Sequence, residues 1–364
     1  MRLLVFLISA CAALLVGATP AQAWSNKEHM QLTRIAAMRL MADPETPPAM
    51  KAWLKENTPD AADMAAEKNF FLHERIGIIP RGAVGLSYWT TMPDMDTFTA
   101  PGTKIAPYNV PERLLHYVDL EYFKPIEADR KYKHDLSGKP KIEDVPRDMS
   151  DGRWQRAGML PFRVEESYKK LVESIRAGRL ADKAGQFPRD DHAAKWAGYL
   201  AHYLQDNTQP QHATLDYKSA LYFADKRNAP NVHAEMEYRM ADDENDDHMA
   251  LREEFWPLFE KAVETVEDPA ENDDLFHATL EVSMASYDAL PLIGLAAQHA
   301  AGQGGTPEDP QGAARAFDTE KFFRFKGEMN GQPTTVMEMK AQQLAWAVKR
   351  VENVWRKAWD EATR

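Results

Sequence analysis

The chain has 364 residues, 44% of them hydrophobic and 27% charged, with a formal net charge of −12. That length admits one large helical domain with insertions as well as two smaller domains. The acids outweigh scattered lysines and arginines, which excludes a broad electrostatic footprint for nucleic acid but not an enzyme whose bound metal supplies positive charge locally.

In chain order, residues 1–23 come first: Arg2, an apolar run from Leu3 to about Val16, and the small-residue ending Ala21-Gln22-Ala23. This is the pattern of a signal peptide cleaved after Ala23. The expected mature chain is a single domain, residues 24–364, periplasmic or secreted. The apolar run is too short to span a bilayer comfortably, and no later stretch offers an uninterrupted candidate. Cys11, the only cysteine, loosely fits a lipoprotein processing box, but the short apolar segment before it argues against lipid anchoring. After cleavage no disulfide is possible, so stability must come from the core or from bound metal.

Ser25 and Glu28 have capping-box spacing, and residues 35–41 have the apolar density of a buried helix face. Similar patterns recur over Val164–Ala177, Ala193–Gln205, His248–Val266, Leu275–Leu290 and Met337–Trp359. The expected fold class is mainly α. Pro101–Pro111, Leu136–Gly152 and Ala300–Gly312 are rich in Pro, Gly and charge and read as loops. Residues 120–160 read as an insertion and 300–314 as a linker. Acidic residues 242–247 read as a solvated turn. Around Asn330-Gly331 a small β-hairpin is expected near 321–338, with Pro333 weakening its second strand.

The chemistry concentrates in a few pairs. On a helix, His202 and Asp206 share a face, one turn apart, and can offer two ligands to one metal; His233 and Glu237 repeat the spacing. Pro210 ends or bends the first helix, so His212 can return to the same cavity. One such pair is common on solvated helices. Two pairs plus His212 favour a site. His134, His192, His248, His277 and His299 lack comparable partners and read as surface or satisfied core residues; His73, in an apolar setting, reads as structural.

Together with Trp24 and His29, with Met92-Pro93-Asp94-Met95-Asp96 and with Leu115-His116-Tyr117-Val118-Asp119, these segments resemble the zinc-dependent phospholipase C and S1/P1 nuclease superfamily, and in its order. The resemblance covers Trp24 to about Glu237. It implies a mainly helical fold around three zinc ions, in which the mature N-terminal tryptophan binds metal through its amino group and carbonyl oxygen. By this resemblance Asp94, His116, His202 and Asp206 hold one zinc; Trp24, His29 and Asp206 a second, with Asp206 bridging; and His212, His233 and Glu237 the third. Asp96 competes with Asp94, because the step to His116 is longer than the family's. Asp94 is favoured because it follows Pro93. The long segment between His116 and His202 would build a lid or binding wall.

Three Zn²⁺ ions against Asp94, Asp206 and Glu237 leave a cationic site suited to a phosphate ester. The implied reaction is metal-assisted phosphodiester hydrolysis, with Asp94 orienting or deprotonating the attacking water. Thr208-Gln209-Pro210-Gln211-His212-Ala213, Glu237, and the absence of a Gly-Gly-Asn segment after the central motif resemble phospholipase C; the short step from Trp24 to His29 resembles the nucleases. Tyr117 would stack a base or pack against a choline-like head group, and Asp119 would hydrogen-bond either one; a core role is the alternative for Tyr117. The expected substrate is a phospholipid head-group ester, met in transient contact with a membrane surface. Single-stranded nucleic acid or a 3′-nucleotide is the alternative, and a zinc-binding protein without turnover is a third reading. No protein partner is evident.

Overall fold

The computed structural model describes residues 24–58, 85–124, 139–180, 190–223, 229–239, 248–301 and 317–364. The expected signal peptide, His73, His134, the acidic turn at 242–247, nearly all of the linker, and residues 125–138 of the expected insertion lie outside the described residues.

The first helix, α1 (Asn26–Ala42), begins where the capping box predicts. Ser25 Oγ accepts from Glu28 N at 3.2 Å and Glu28 Oε2 accepts from Ser25 N at 3.3 Å, satisfying two donors that a helix start leaves open. Its buried residues include Glu28 and His29 as well as Leu32, Ala36 and Leu40, so polar side chains as well as apolar ones face the interior. A short helix follows, α2 (Pro48–Asn57), started by Pro48 in the first turn.

Helix α3 (Gly85–Thr99) is absent from the sequence reading, because Pro93 lies inside it and interrupts the expected pattern. The next stretch, 101–111, reads as loop but contains a minimal antiparallel ribbon, β1 (Lys104–Ile105) with β2 (Val110–Pro111). A 3₁₀ turn over Glu112–Leu115 then delivers His116. Beyond the turns at 120–123 and 142–144 come α4 (Trp154–Ala157), α5 (Leu160–Arg176) and α6 (Ala193–Asp206). Gly158, at φ 90°, is where the chain passes so close to Tyr117 that a Cβ would run into the Tyr117 carbonyl. Here Asp119 N donates to Ala157 O at 2.6 Å, and Met159 N to Leu114 O at 2.7 Å. These bonds pin the 114–119 segment to the start of α5.

The second half adds α7 (Val232–Tyr238), α8 (Met249–Thr265), α9 (Leu275–Tyr287) and α10 (Leu290–Ala300). The single helix expected over Leu275–Leu290 therefore ends at Tyr287, and Pro291 sits in the first turn of a new one. The hairpin is real but smaller than expected: residues 319–324 form a helical turn, α11 (Thr319–Arg324), before β3 (Lys326–Met329) and β4 (Gln332–Thr335). Asn330 and Gly331 take φ 52° and 74°, the left-handed pair that a two-residue hairpin turn needs. Pro333 is tolerated opposite Glu328 because both strands of this ribbon are edges. A second capping box, Thr335 with Glu338, starts the long α12 (Val336–Thr363).

The result is mainly helical, with only two-stranded ribbons among the described residues. None of the described helices is long and apolar enough to cross a membrane. α12 packs against α1, α5, α6 and α8, and α6 packs against α3 and α5. Trp355, 1% exposed, ties α12 to α6 by donating its indole N–H to Ala197 O at 3.1 Å. Gly198 lets α6 approach α3 closely, since a Cβ there would lie 2.5 Å from Trp89 Cβ. That contact brings the polar faces of α3 and α6 together.

Candidate metal centre

His202 and Asp206 occupy the buried face of α6, one turn apart. His202 Nδ1–H donates to Thr90 O of α3 at 2.8 Å, which leaves Nε2 as the lone-pair nitrogen. This Nε2 lies 3.2 Å from Asp206 Oδ2, 3.0 Å from His116 Nδ1 and 3.8 Å from Asp94 Oδ1. From α1, His29 stacks on His202 with ring centroids 4.1 Å apart. Its Nδ1–H donates to Gln205 Oε1 at 2.6 Å, and Gln205 is itself oriented by donating from Nε2 to Thr33 Oγ1 at 2.9 Å. The outward His29 Nε2 is 3.3 Å from Asp206 Oδ1. His116 Nδ1 lies 2.9 Å from Asp206 Oδ2 and 3.7 Å from Asp94 Oδ1. Asp206 thus turns one oxygen to His29 and the other to His116 and His202.

A second group forms beside it. The turn over Pro210–Ala213 brings His212 back as expected, and His212 Nδ1–H donates to His116 O at 2.9 Å. On α7, His233 Nε2 contacts Glu237 Oε1, which is 3.9 Å from His212 Nε2. All three residues are buried. In the three groupings His29/His202/Asp206, Asp94/His116/His202 and His212/His233/Glu237, the possible ligand atoms lie within 4.8 Å of one another.

The charges are strongly interdependent. Burial pushes the Asp94 carboxyl up to about 6, with His116 and His29 opposing and Asp206 adding to the rise. Burial acts the same way on Asp206, but its contacts with His202, His116 and His29 outweigh it and hold that carboxyl well below the usual range. Burial carries His202 down to about 3 against the pull of Asp206. His29 and His116 are raised instead, because Asp206 and Asp94 together overcome burial. Glu237 is pushed well up by burial and then by Asp94 and Asp206, so the second group feels the carboxylates of the first.

The donor set fits a divalent metal. Ligands about 2.0–2.1 Å from a tetrahedral ion lie roughly 3.3 Å from each other, and the spacings around Asp206 and His202 scatter about that value. Among the described residues, His29 Nε2, Asp94 Oδ2, His116 Nε2 and Asp206 Oδ1 are buried without a hydrogen bond. Each such atom costs about 1–3 kcal/mol when left unsatisfied, and a cation between His29 Nε2 and Asp206 Oδ1, which face each other at 3.3 Å, could satisfy both. Oxygen acceptors also fix the tautomers of His29, His202 and His212, as is usual for metal-bound imidazoles.

The remaining sequence candidates separate. Asp94 lies in the cluster with 1% exposure, whereas half-buried Asp96 accepts from Tyr199 OH at 2.9 Å. Trp24 is fully buried, its indole N–H donating to Gln205 O at 3.0 Å, so it packs beside the end of α6. Tyr117 is partly buried and stands edge-on to His212, with centroids 6.3 Å apart. Asp119 is buried, and burial with neighbouring Glu121 pushes its carboxyl well up. His192 accepts from Lys195 N and caps α6, His277 pairs with Asp274, and His299 lies on Phe325; they stand outside the groupings.

Several neighbours escaped the sequence reading. Gln205 and Thr90 orient the histidines, yet a glutamine and a main-chain carbonyl carry no spacing signal. Tyr217, 38% exposed, stands edge-on to His233 with centroids 5.6 Å apart. Lys340 is fully buried on α12 and pairs with Glu28 at 2.7 Å. Burial pushes the Glu28 carboxyl up and Lys340 pulls it back. A lysine among Met337, Met339, Ala341 and Leu344 on an apolar face was the available signal. No family model, curated protein or solved structure matches this chain.

Proposed function

We propose that the chain is an exported, zinc-dependent phosphodiester hydrolase, phospholipase C-like in substrate, that acts on phospholipid head-group esters in transient contact with a membrane surface. The observation that carries the reading is the position of Asp206, with its two oxygens turned to different histidines and a second buried His/Glu group alongside. Nitrogen and oxygen donors without cysteine suit zinc. In this reading Asp94, His116, His202 and Asp206 hold one ion, Trp24, His29 and Asp206 another, and His212, His233 and Glu237 a third. The helical architecture and the chain order of these segments support a phospholipase C/P1 nuclease-like fold.

Bound zinc would supply positive charge to the phosphate oxygens and acidity to a water molecule. The chain's own part is orientation and exclusion of solvent. Asp94 keeps Oδ2 free of hydrogen bonds, available to hold the attacking water and take its proton. Tyr117, edge-on to His212, would pack against the head group, and Asp119 would hydrogen-bond it. Removal of residues 1–23 would free the amino group of Trp24 to serve as a ligand.

The test is elemental analysis of the purified mature protein, followed by assays on phosphatidylcholine, single-stranded DNA, RNA and a 3′-nucleotide. About three zinc ions per chain and hydrolysis of the phospholipid are expected; no tightly held metal would sink the assignment. The short step from Trp24 to His29 favours the nuclease reading as the second choice, and turnover of the nucleic acids alone would select it. Full zinc content with no turnover on any substrate would leave a zinc-binding protein.

A further inference from the structure

The two ligand-bearing segments farthest apart in sequence, the first turn of α1 and the short helix α7, meet at one side chain. Lys340 is 0% exposed and donates from Nζ both to Glu28 Oε1, at 2.7 Å, and to Met236 O. Its Nζ also stands over the Trp24 ring, 5.3 Å from the centroid. Glu28 uses its other oxygen to accept from Ser25 N, so the ammonium is linked through one carboxylate to the turn that carries Trp24 and His29. Met236 lies between Glu235 and Glu237, and its carbonyl is among the last four of a seven-residue helix, which lack an intrahelical donor. Lys340 supplies that donor. It therefore closes the end of α7 next to Glu237 while holding the first turn of α1.

The geometry points to Lys340 as a positioning residue that couples the His29/His202/Asp206 group to the His212/His233/Glu237 group, so that metal occupancy at the two rises and falls together. The inference rests on the metal-centre reading above. Lys340 is one step removed from the ligands and sits on α12, whose packing against α1 and α8 gives it a fixed base. Partners that orient ligands in this way typically set metal affinity by a factor of ~10–100. A long, flexible lysine is held here by an ion pair, a hydrogen bond and two aromatic rings, those of Trp24 and Phe323, which sets its Nζ position.

The experiment compares the mature chain, residues 24–364, with its Lys340→Met variant and with the double variant Glu28→Gln/Lys340→Met, which removes the ion pair without leaving a lone buried charge. Zinc content and affinity are read by competition with a chromophoric chelator, and metal-free stability by thermal melting. A coupling role predicts that the double variant folds but binds zinc ~10–100-fold more weakly at both groups. A merely structural role would lower the metal-free melting temperature and leave zinc affinity unchanged; that result overturns the inference while the metal centre stands. No tight zinc in the unmodified chain would overturn the metal-centre reading and this inference with it. Should neither variant fold, hydrogen exchange on the unmodified chain decides. At half-saturating zinc, the first turn of α1 and the amides of α7 should gain protection together, and protection of one alone overturns the coupling.

Discussion

Gly198→Ala offers a sharp test of how the proposed metal centre is assembled. The added methyl would lie 2.5 Å from Trp89 Cβ, with Trp89 C and Thr90 N at 2.8 and 2.9 Å. Ordinary carbon–carbon contact begins at about 3.4 Å, so α3 and α6 must separate by roughly 1 Å locally, because two of the three blocking atoms are backbone and cannot rotate away. Overpacking of this kind costs about 1–3 kcal/mol. The functional effect should be larger than the stability effect suggests. Thr90 O orients His202, and Asp94 lies one turn beyond Thr90 on the same helix, so the displacement falls on the spacing between α3 and α6 ligands. A site of this type tolerates about 0.5 Å before its geometry fails. Urea unfolding, zinc affinity and hydrolytic rate are measured together, with Gly152→Ala as control because nothing lies within 4 Å of its added methyl. If Gly198→Ala matches the wild type in stability and zinc affinity, the argument that α3–α6 contact sets the cluster is wrong.

If the chain is the proposed hydrolase, Asp94→Asn should abolish most hydrolysis, whereas Asp96→Asn should retain it, since an amide oxygen can still accept from Tyr199 OH; the reverse order of rates would show that the wrong carboxylate was chosen. Gln205→Leu should weaken zinc binding by a factor of ~10–100 through loss of the His29 orientation, with helix content unchanged by circular dichroism. Chelation should lower the melting temperature: an ion present at 1,000 times its dissociation constant contributes about 4 kcal/mol to the folded state, and a chelator-insensitive melt would contradict a structural share for the metal. Thr335→Ala should cost about 1 kcal/mol by removing the cap of α12. A change below a few tenths in urea titration would mean that tertiary packing, not capping, holds that end.

Much of this protein was legible in the linear chain because the relevant interactions are local. The capping box at Ser25–Glu28, the Asn330-Gly331 turn, and the pairing of His202 with Asp206 and His233 with Glu237 all follow from spacing that backbone geometry fixes within a few residues. Other features depend on which face of an element turns inward, and that is a property of the packed whole. α3 was hidden by Pro93, and only its contact with α6 sends Asp94 toward the histidines and Asp96 toward Tyr199. Tyr217 and Lys340 join the site from positions with no periodic relation to it, and Gln205, one turn from His202 on α6, is a residue type that does not itself mark a ligand partner. Their roles come from burial, which makes every unpaired polar atom costly and so dictates who must meet whom.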